Sequence, residues 1–426
     1  MEDKKINILL IGNGGREHAL AWKIHQSPLL NKLYCIPGSP GIEEFAESVN
    51  VDGDDLKGML DFALKNDIGL TVIGPEIPLV NGVVDLFEQN GLKAFGPSQR
   101  AARIEGSKIY MKKLLRKHNI PTAEFVAFND YKAALLHIES VGAPLVIKTD
   151  GLAAGKGAYV CKTLEEAEKA IQETMIDKVH GESGSNIIIE DFMPGEEASL
   201  FVFTDGHNIY PLESAQDHKP IFDDDKGPNT GGMGAYSPAP ILTENLLNDV
   251  LERIIVPTVH AMNSDDSTYK GLLYAGLMMT PKGPKVVEFN CRFGDPEAQP
   301  VLMRMKTDIV PVLLSCCNNN LHRQMIEWHP ESAVCVVMSS EGYPGSYSKN
   351  KTITGLDKNY EKGVVFHSGI RKSGEQYLTN GGRVLGVTGM GANLEEAISN
   401  TYDIVDHLSF DGAYYRKDIG SKGLGK

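Results

Sequence analysis

Glu288, Asn290 and Arg292 occupy alternate positions of the run Val286-Val-Glu-Phe-Asn-Cys-Arg-Phe-Gly-Asp-Pro-Glu297. In an extended chain alternate side chains share a face, so these three point one way while Val287, Phe289 and Cys291 point the other. A carboxylate and a carboxamide oxygen suit a hard cation such as magnesium, and a guanidinium beside them suits a phosphoryl group that the cation also touches. A strand with one wet face has the same spacing. The choice between the two rests on whether the rest of the chain supplies a phosphate site.

Several other stretches offer one. The apolar strand Pro144-Leu-Val-Ile-Lys148 ends in a lysine and is followed by Asp150-Gly-Leu-Ala-Ala-Gly-Lys-Gly157 and a second strand, Ala158 to Cys161. Two strands joined by a small-residue loop carrying Lys156 make a flap whose bare amides can approach phosphate oxygens; a mobile hairpin is the alternative. The pattern is not a P-loop, because Gly157 follows Lys156 where Ser or Thr is required. Ile187 to Glu197 reads as a strand turning into a polar hinge, able to offer backbone groups to an adenine and a carboxylate to a ribose. Gly227-Pro-Asn-Thr-Gly-Gly-Met-Gly234 suggests close backbone approach to a ligand, or a surface loop. The turn Gly12-Asn-Gly-Gly15 fits a dinucleotide fingerprint poorly, since Glu17 stands where the third glycine belongs, yet it could hold a monophosphate at a helix start.

The elements that must position these groups fall into three stretches. Strands at 6–11, 32–36, 70–73 and 93–95 alternate with helices at 17–26, 56–65 and 82–90, the rhythm of a parallel sheet wrapped by helices. Helices at 108–117, 131–140 and 164–175 and strands at 144–148, 158–161, 187–190, 269–279 and 285–290 carry the middle of the chain, with closing helices at 297–305 and 309–316. Lys112-Lys113 with Arg116-Lys117 reads as a solvated helix face. A small unit with strands at 333–338, 364–367 and 383–387 and a helix at 394–408 ends it.

The 426 residues carry 42 basic and 56 acidic groups, a formal net charge of -14, with no basic cluster, which argues against a nucleic-acid surface. A negative protein that handles phosphate must concentrate its cations locally. The six cysteines form no C-x-x-C pair, and the histidines form no H-E-x-x-H. They read as reduced apolar residues, neither a disulfide frame nor a zinc site. No apolar run reaches the length of a membrane span and no secretory leader is evident, so a cytoplasmic protein without membrane contact is expected.

A lysine-ended strand, a Gly/Lys flap, a hinge strand followed by glutamates and a late E-x-N strand resemble the parts of an ATP-grasp ligase. Gly12-Asn-Gly-Gly-Arg-Glu-His18, Glu105-Gly-Ser-Lys108, Asp150 to Gly157, Gln216-Asp-His-Lys219, Pro228-Asn-Thr-Gly-Gly-Met-Gly-Ala-Tyr-Ser-Pro238 and Glu288 to Glu297 are similar to phosphoribosylamine-glycine ligases, in order from the first strand to about Asp418. The resemblance implies an α/β and α+β multidomain chain: a Rossmann-like N-terminal domain (1–103), a two-lobed ATP-grasp module (104–328, flap lobe about 121–192) and a small mixed C-terminal domain (329–426). It implies glycine and 5-phosphoribosylamine as substrates, ATP as co-substrate and magnesium or manganese as the metal, in a monofunctional monomer without an obligate protein partner.

On the same resemblance Lys108 and Lys148 contact ATP phosphates, Gly155, Lys156 and Gly157 cover them, Glu190, Phe192 and Met193 frame the adenine, and Glu197 binds the ribose, with Glu196 as the alternative. Glu288 and Asn290 ligate the metal. Arg292, Asp217 and Lys219 form the catalytic set, Arg292 on the phosphoryl or the glycine carboxylate and Asp217 on the glycine ammonium. Asn13, Gly14 and Gly15, with Asn229, Thr230, Gly231 and Asp295, hold phosphoribosylamine; Asp295 and Glu297 could also cap the helix that follows. Two positions depart from the pattern. Thr149 stands where alanine is expected, and Leu273 to Met279 lacks the acidic ligand that would support tight binding of a second metal. A purine-pathway carboxylase of the same superfamily would lack the Asp217 and Asn229 to Gly234 segments, and a non-enzymatic nucleotide sensor would not need Lys148, Glu288, Asn290 and Arg292 together.

Overall fold

The computed structural model describes residues 4–153 and 156–425. The N-terminal part is a parallel sheet in the order Glu47–Ser48, Leu30–Pro37, Ile6–Gly12, Ile68–Ile73, Ala94–Phe95. The two-residue edge strand Glu47–Ser48 is too short to leave a sequence pattern. Strand order reverses beside Ile6–Gly12, and there the Glu17 side chain packs between the carboxyl-end loops at Gly12 and Gly74. The helix Gly15–His25 begins two residues earlier than its apolar period suggests, because Glu17 folds back and its Oε2 accepts the Gly14 amide at 2.7 Å.

Two antiparallel four-stranded sheets follow. One has the order Phe125–Phe128, Ile187–Asp191, Leu145–Thr149, Ala158–Cys161; the other Ile209–Pro211, Glu196–Thr204, Gly271–Thr280, Gly283–Asn290. The segment expected as one strand and a hinge is therefore two strands in different sheets, and the turn between Asp191 and Glu196 is the crossing between lobes. Its charged, proline- and glycine-containing sequence hides the second strand, whose apolar pattern starts only at Ala198.

The last sheet joins Gln216–Asp217, Gly234–Ser237, Ser332–Ser340, Arg383–Gly391 and Gly363–His367, with Ala413–Tyr414 on Ser332–Ser340. Gln216–Asp217 and Gly234–Ser237 thus belong to a sheet built mostly after residue 331, while Pro220–Phe222 and Lys226–Asn229 between them form a hairpin of their own. They are four residues or fewer and rich in glycine and polar groups, so no alternation announces them. Among the described residues no helix is long and apolar enough to cross a membrane.

Phe203 ties these parts together. It is fully buried on the strand Glu196–Thr204, with its ring 5.9 Å from Phe95 of the parallel sheet and 6.1 Å from Phe293 beyond the E-x-N strand. Phe203→Ala should therefore lower unfolding free energy by about 3–5 kcal/mol, read from denaturant midpoints. A loss below about 1 kcal/mol would mean that the two sheets do not depend on this contact.

Candidate active site

Glu288 sits opposite Gly276, and the next paired residues are Val286 and Leu277, so Val287 is an extra residue in the ladder. This bulge changes the simple alternation read from the sequence. Val287 lines the cavity and is only half-buried, unlike the buried Phe289 and Cys291, and its carbonyl accepts from Lys148 Nζ at 3.0 Å. Gly276 leaves room opposite: a Cβ there would crowd Glu288 Cγ at 3.3 Å.

The bulged strand forms one wall of a cavity of about 360 Å³ between the two antiparallel sheets. Lys108, Lys148, Gly157, Glu190, Phe192, Met193, Glu197, Asp217, Lys219, Asn229, Thr230, Gly231, Glu288, Asn290, Arg292 and Asp295 all line it. Asn13 and Gly14 lie instead on a second cavity of about 500 Å³, which shares Asp295 and Arg383 with the first. Gly15 and Lys156 line neither; Lys156 Nζ donates to the Pro344 carbonyl at 3.0 Å. Gly155 lies outside the described residues.

The cations are held by carboxylates. Glu190 is 2 % exposed and bridges two lysines, Lys148 at 2.9 Å and Lys112 at 3.1 Å. Its side chain is thereby occupied by the two lysines, and Asp191, Phe192 and Met193 line the cavity beside it. Lys112 is fully buried, contrary to the solvated helix face read from the sequence; it also donates to Thr122 Oγ1 and the Ala123 carbonyl. Burial, aided by the charge of Lys148, pulls its ammonium down to about 8 against the pull of Glu190. The legible signal was its place four residues after Lys108, on the same side of the helix Lys108–Lys117. Lys113, Arg116 and Lys117 are exposed as expected, Arg116 with its guanidinium 4.0 Å from the Phe125 ring centre.

Arg292 lies beyond the end of its strand and is fixed by Glu76 at 3.1 Å and Glu105 at 2.8 Å, while it donates to Asn290 Oδ1 at 3.2 Å. Neither carboxylate was singled out from the sequence, although Glu105 opens the run ending in Lys108 and Glu76 follows a strand. Burial alone would raise the Glu288 carboxyl, but Lys219, Lys108, Lys148 and Arg292 outweigh it and hold it down to about 2. Glu288 is therefore a permanent anion, with the Asn290 oxygen beside it. Among the described residues no group of three or more His, Cys, Asp or Glu could hold a metal. The donor set fits a magnesium-like ion that takes its remaining ligands from phosphates and water.

At the other end Glu197 pairs with Lys219 at 2.5 Å. Asp217 follows a different course: its buried Oδ1 has no hydrogen-bond partner, and burial, then the charge of Glu297, pushes its carboxyl well above the ordinary range. Glu297 stands at the N-cap of the helix Ala298–Arg304 but does not cap it; its Oε1 accepts from Tyr274 at 2.5 Å and Ser199 at 3.4 Å. Asp295 pairs with Arg383 at 3.0 Å and accepts from Gln299 at 2.9 Å. Arg383 also donates to the Gly231 carbonyl at 2.6 Å, and the Gly231 amide donates to Tyr343 Oη at 3.0 Å. No local pattern marks Tyr343 or Arg383, because both reach the loop from more than a hundred residues away. Gly232 has φ +109°, and a Cβ there would strike Pro296 Cδ at 2.4 Å and Asp217 Oδ1 at 2.9 Å.

Comparison with known proteins gives the family. The phosphoribosylglycinamide synthetase models match along most of the chain: the N domain over residues 6–105, the ATP-grasp (A) domain over 106–298 and the C domain over 333–422. The chain is 46% identical over 424 residues to phosphoribosylamine-glycine ligase of Pasteurella multocida, covering 99% of each, and 48% identical to that of Escherichia coli K12, covering 98% and 99%. The crystal structure of the Thermotoga maritima ligase matches with a TM-score of 0.84 at 30% identity, over 97% of this chain and all of that one. The biotin carboxylase domain of Hydrogenobacter thermophilus 2-oxoglutarate carboxylase shares the fold alone, with a TM-score of 0.73 at 16% identity over 97% and 92%. Fold and cavity are those of an ATP-grasp enzyme. Within that class the chain belongs to the phosphoribosylamine-glycine ligases, the phosphoribosylglycinamide synthetase family.

The raised Asp217 carboxyl has a consequence for the ligand-free protein. The folded form keeps this proton to higher pH than the unfolded chain, so the group loses the folded state stability as pH rises above the ordinary carboxylate value. Asp217→Asn cannot ionise, and its stability relative to the parent should climb as pH goes from about 4 to about 7. Paired thermal melts measure this; a difference independent of pH refutes it.

Proposed function

We propose that the cavity binds ATP with its phosphates against Lys108, Lys148 and the Glu288–Asn290 edge, and that glycine and 5-phosphoribosylamine react at the Asp217 and Gly231 end. The observation that carries this reading is Glu288, held ionised by four cations beside the Asn290 oxygen. Magnesium or manganese bound there would neutralise phosphate charge. Lys108 has no ion-pair partner among the described residues, which leaves its charge for phosphate. Lys148 is aimed by Glu190 and the Val287 carbonyl. Gly157 lies over the phosphates and Lys156 joins it on leaving the Pro344 carbonyl, Asp191 to Met193 offer backbone to the adenine, and Glu197 meets the ribose after releasing Lys219.

The reaction is that of the family, in purine biosynthesis. A glycine carboxylate oxygen attacks the terminal phosphorus and ADP leaves, giving glycyl phosphate; the amine of phosphoribosylamine then attacks the acyl carbon and phosphate leaves, giving glycinamide ribonucleotide. Carboxylate alone is a poor electrophile because its leaving group would be oxide. Positioning and charge neutralisation are therefore the protein's task. Arg292, braced by Glu76 and Glu105, meets the transferring phosphoryl or the glycine carboxylate. Asp217, whose Oδ1 lacks a partner, takes the glycine ammonium. Asn13 to Gly15, Asn229 to Gly231 and Asp295 receive phosphoribosylamine. Three units, 1–103, 104–328 and 329–426, acting in a cytoplasmic monomer, complete the reading.

ADP release should require glycine and phosphoribosylamine together, with little from either alone or from bicarbonate. Turnover indifferent to glycine sinks the assignment. Glu288→Ala should cut magnesium-dependent turnover by more than the roughly 10–100-fold that loss of an outer-shell partner costs, with circular dichroism unchanged. Full activity would remove Glu288 from the metal.

A further inference from the structure

The second cavity holds cations that the reading above leaves unused. Arg371 and Lys372 line it, and neither has a carboxylate partner among the described residues. Arg371 Nε donates to Asn350 Oδ1 at 2.8 Å, and Lys372 Nζ lies 5.6 Å from the Tyr377 ring centre, with the charge of Glu44 also within its influence. The remaining charged pair on the wall, Asp295 and Arg383, neutralises itself. In a chain of net charge -14, Arg371, half-buried, and Lys372, exposed, are two adjacent cations without an internal anion, across a cavity from a helix N-terminus, and together they attract an external anion.

Ser39 is the independent sign of a ligand. It is only 8 % exposed, it lines the same cavity, and its Oγ has no hydrogen-bond partner. A buried hydroxyl left unpaired costs free energy that an incoming acceptor would return. The Gly14 amide is not available to that acceptor, since it is already spent on Glu17. Hydroxyl and cations come from different parts of the fold. Ser39 follows the strand Leu30–Pro37, and Arg371 and Lys372 sit on the strand Ile370–Ser373.

We propose that Ser39, Arg371 and Lys372 form the phosphate-monoester subsite for phosphoribosylamine, with the sugar passing beside Asp295 and Arg383 so that the amine faces the Asp217 end of the larger cavity. This rests on the reading that phosphoribosylamine is the second substrate. Its chemistry agrees, because phosphate and amine lie at opposite ends of the sugar and the two cavities share only that wall. A guanidinium supplies paired donors to two oxygens, an ammonium a point charge and a hydroxyl a third contact.

The test compares the parent with Arg371→Ala, Lys372→Ala and Ser39→Ala in the intact protein, after thermal melts establish that each is folded. KM for phosphoribosylamine should rise about tenfold or more in each of the first two and less in the third, with KM for glycine and ATP within about twofold. Arg371→Lys should recover part of the loss. Ribose 5-phosphate should compete with phosphoribosylamine in the parent and weaken in parallel in the variants; inorganic phosphate, a product of the same reaction, should compete less well, and ribose not at all. Unchanged KM for phosphoribosylamine in the Arg371→Ala, Lys372→Ala double variant overturns the subsite, as does inorganic phosphate matching ribose 5-phosphate. A parent that releases ADP without regard to phosphoribosylamine overturns the underlying reading instead.

Discussion

A cavity that receives a polyphosphate needs several buried cations, and buried cations repel one another and lose their hydration. The chain meets this constraint by giving nearly every cation of the site a carboxylate that fixes it. Glu190 serves Lys112 and Lys148; Glu76 and Glu105 serve Arg292; Glu197 serves Lys219; Asp295 serves Arg383. These pairs are more than neutralising contacts. Each anion comes from a different element than its cation, so the pairs tie together segments far apart in the chain. The acidic balance of the sequence, which by itself speaks against a phosphate-binding surface, is partly spent inside the site.

Much of this was legible in the residues. The Gly-rich loops, the lysine ending the strand Leu145–Thr149 and the E-x-N strand are local patterns whose chemistry depends on near neighbours, and they lead to the right family. Parallel-sheet rhythm in the N-terminal part is equally local. What stayed hidden depends on distance in the fold. A bulge at Val287 cannot be read from alternation, because it is a mismatch with a partner strand. Lys112 looks like a surface residue until Glu190 is brought over it, and Glu297 looks like a cap until Tyr274 arrives.

The carboxylates at the two ends of the cavity behave oppositely for one physical reason. Glu288 and Asp217 are both withdrawn from water, which favours the protonated form of each. Four cations reverse that preference at Glu288, whereas the nearby charge of Glu297 reinforces it at Asp217. On the proposed assignment one end thus suits a metal and phosphates and the other a group that brings its own positive charge, and this polarity along the cavity would order the substrates in space.

The sheet that contains Gln216–Asp217 has a further consequence for how this chain can be divided. Gly234–Ser237 is paired on one side with Gln216–Asp217 and on the other with Ser332–Ser340. Cutting the chain before residue 332 would strip the second partner away and leave Gly234–Ser237 as a short open edge beside the site's own acidic strand. Such an edge invites pairing with another chain. The C-terminal part is therefore no detachable appendage: it completes the backbone hydrogen bonding of the segment that carries Asp217.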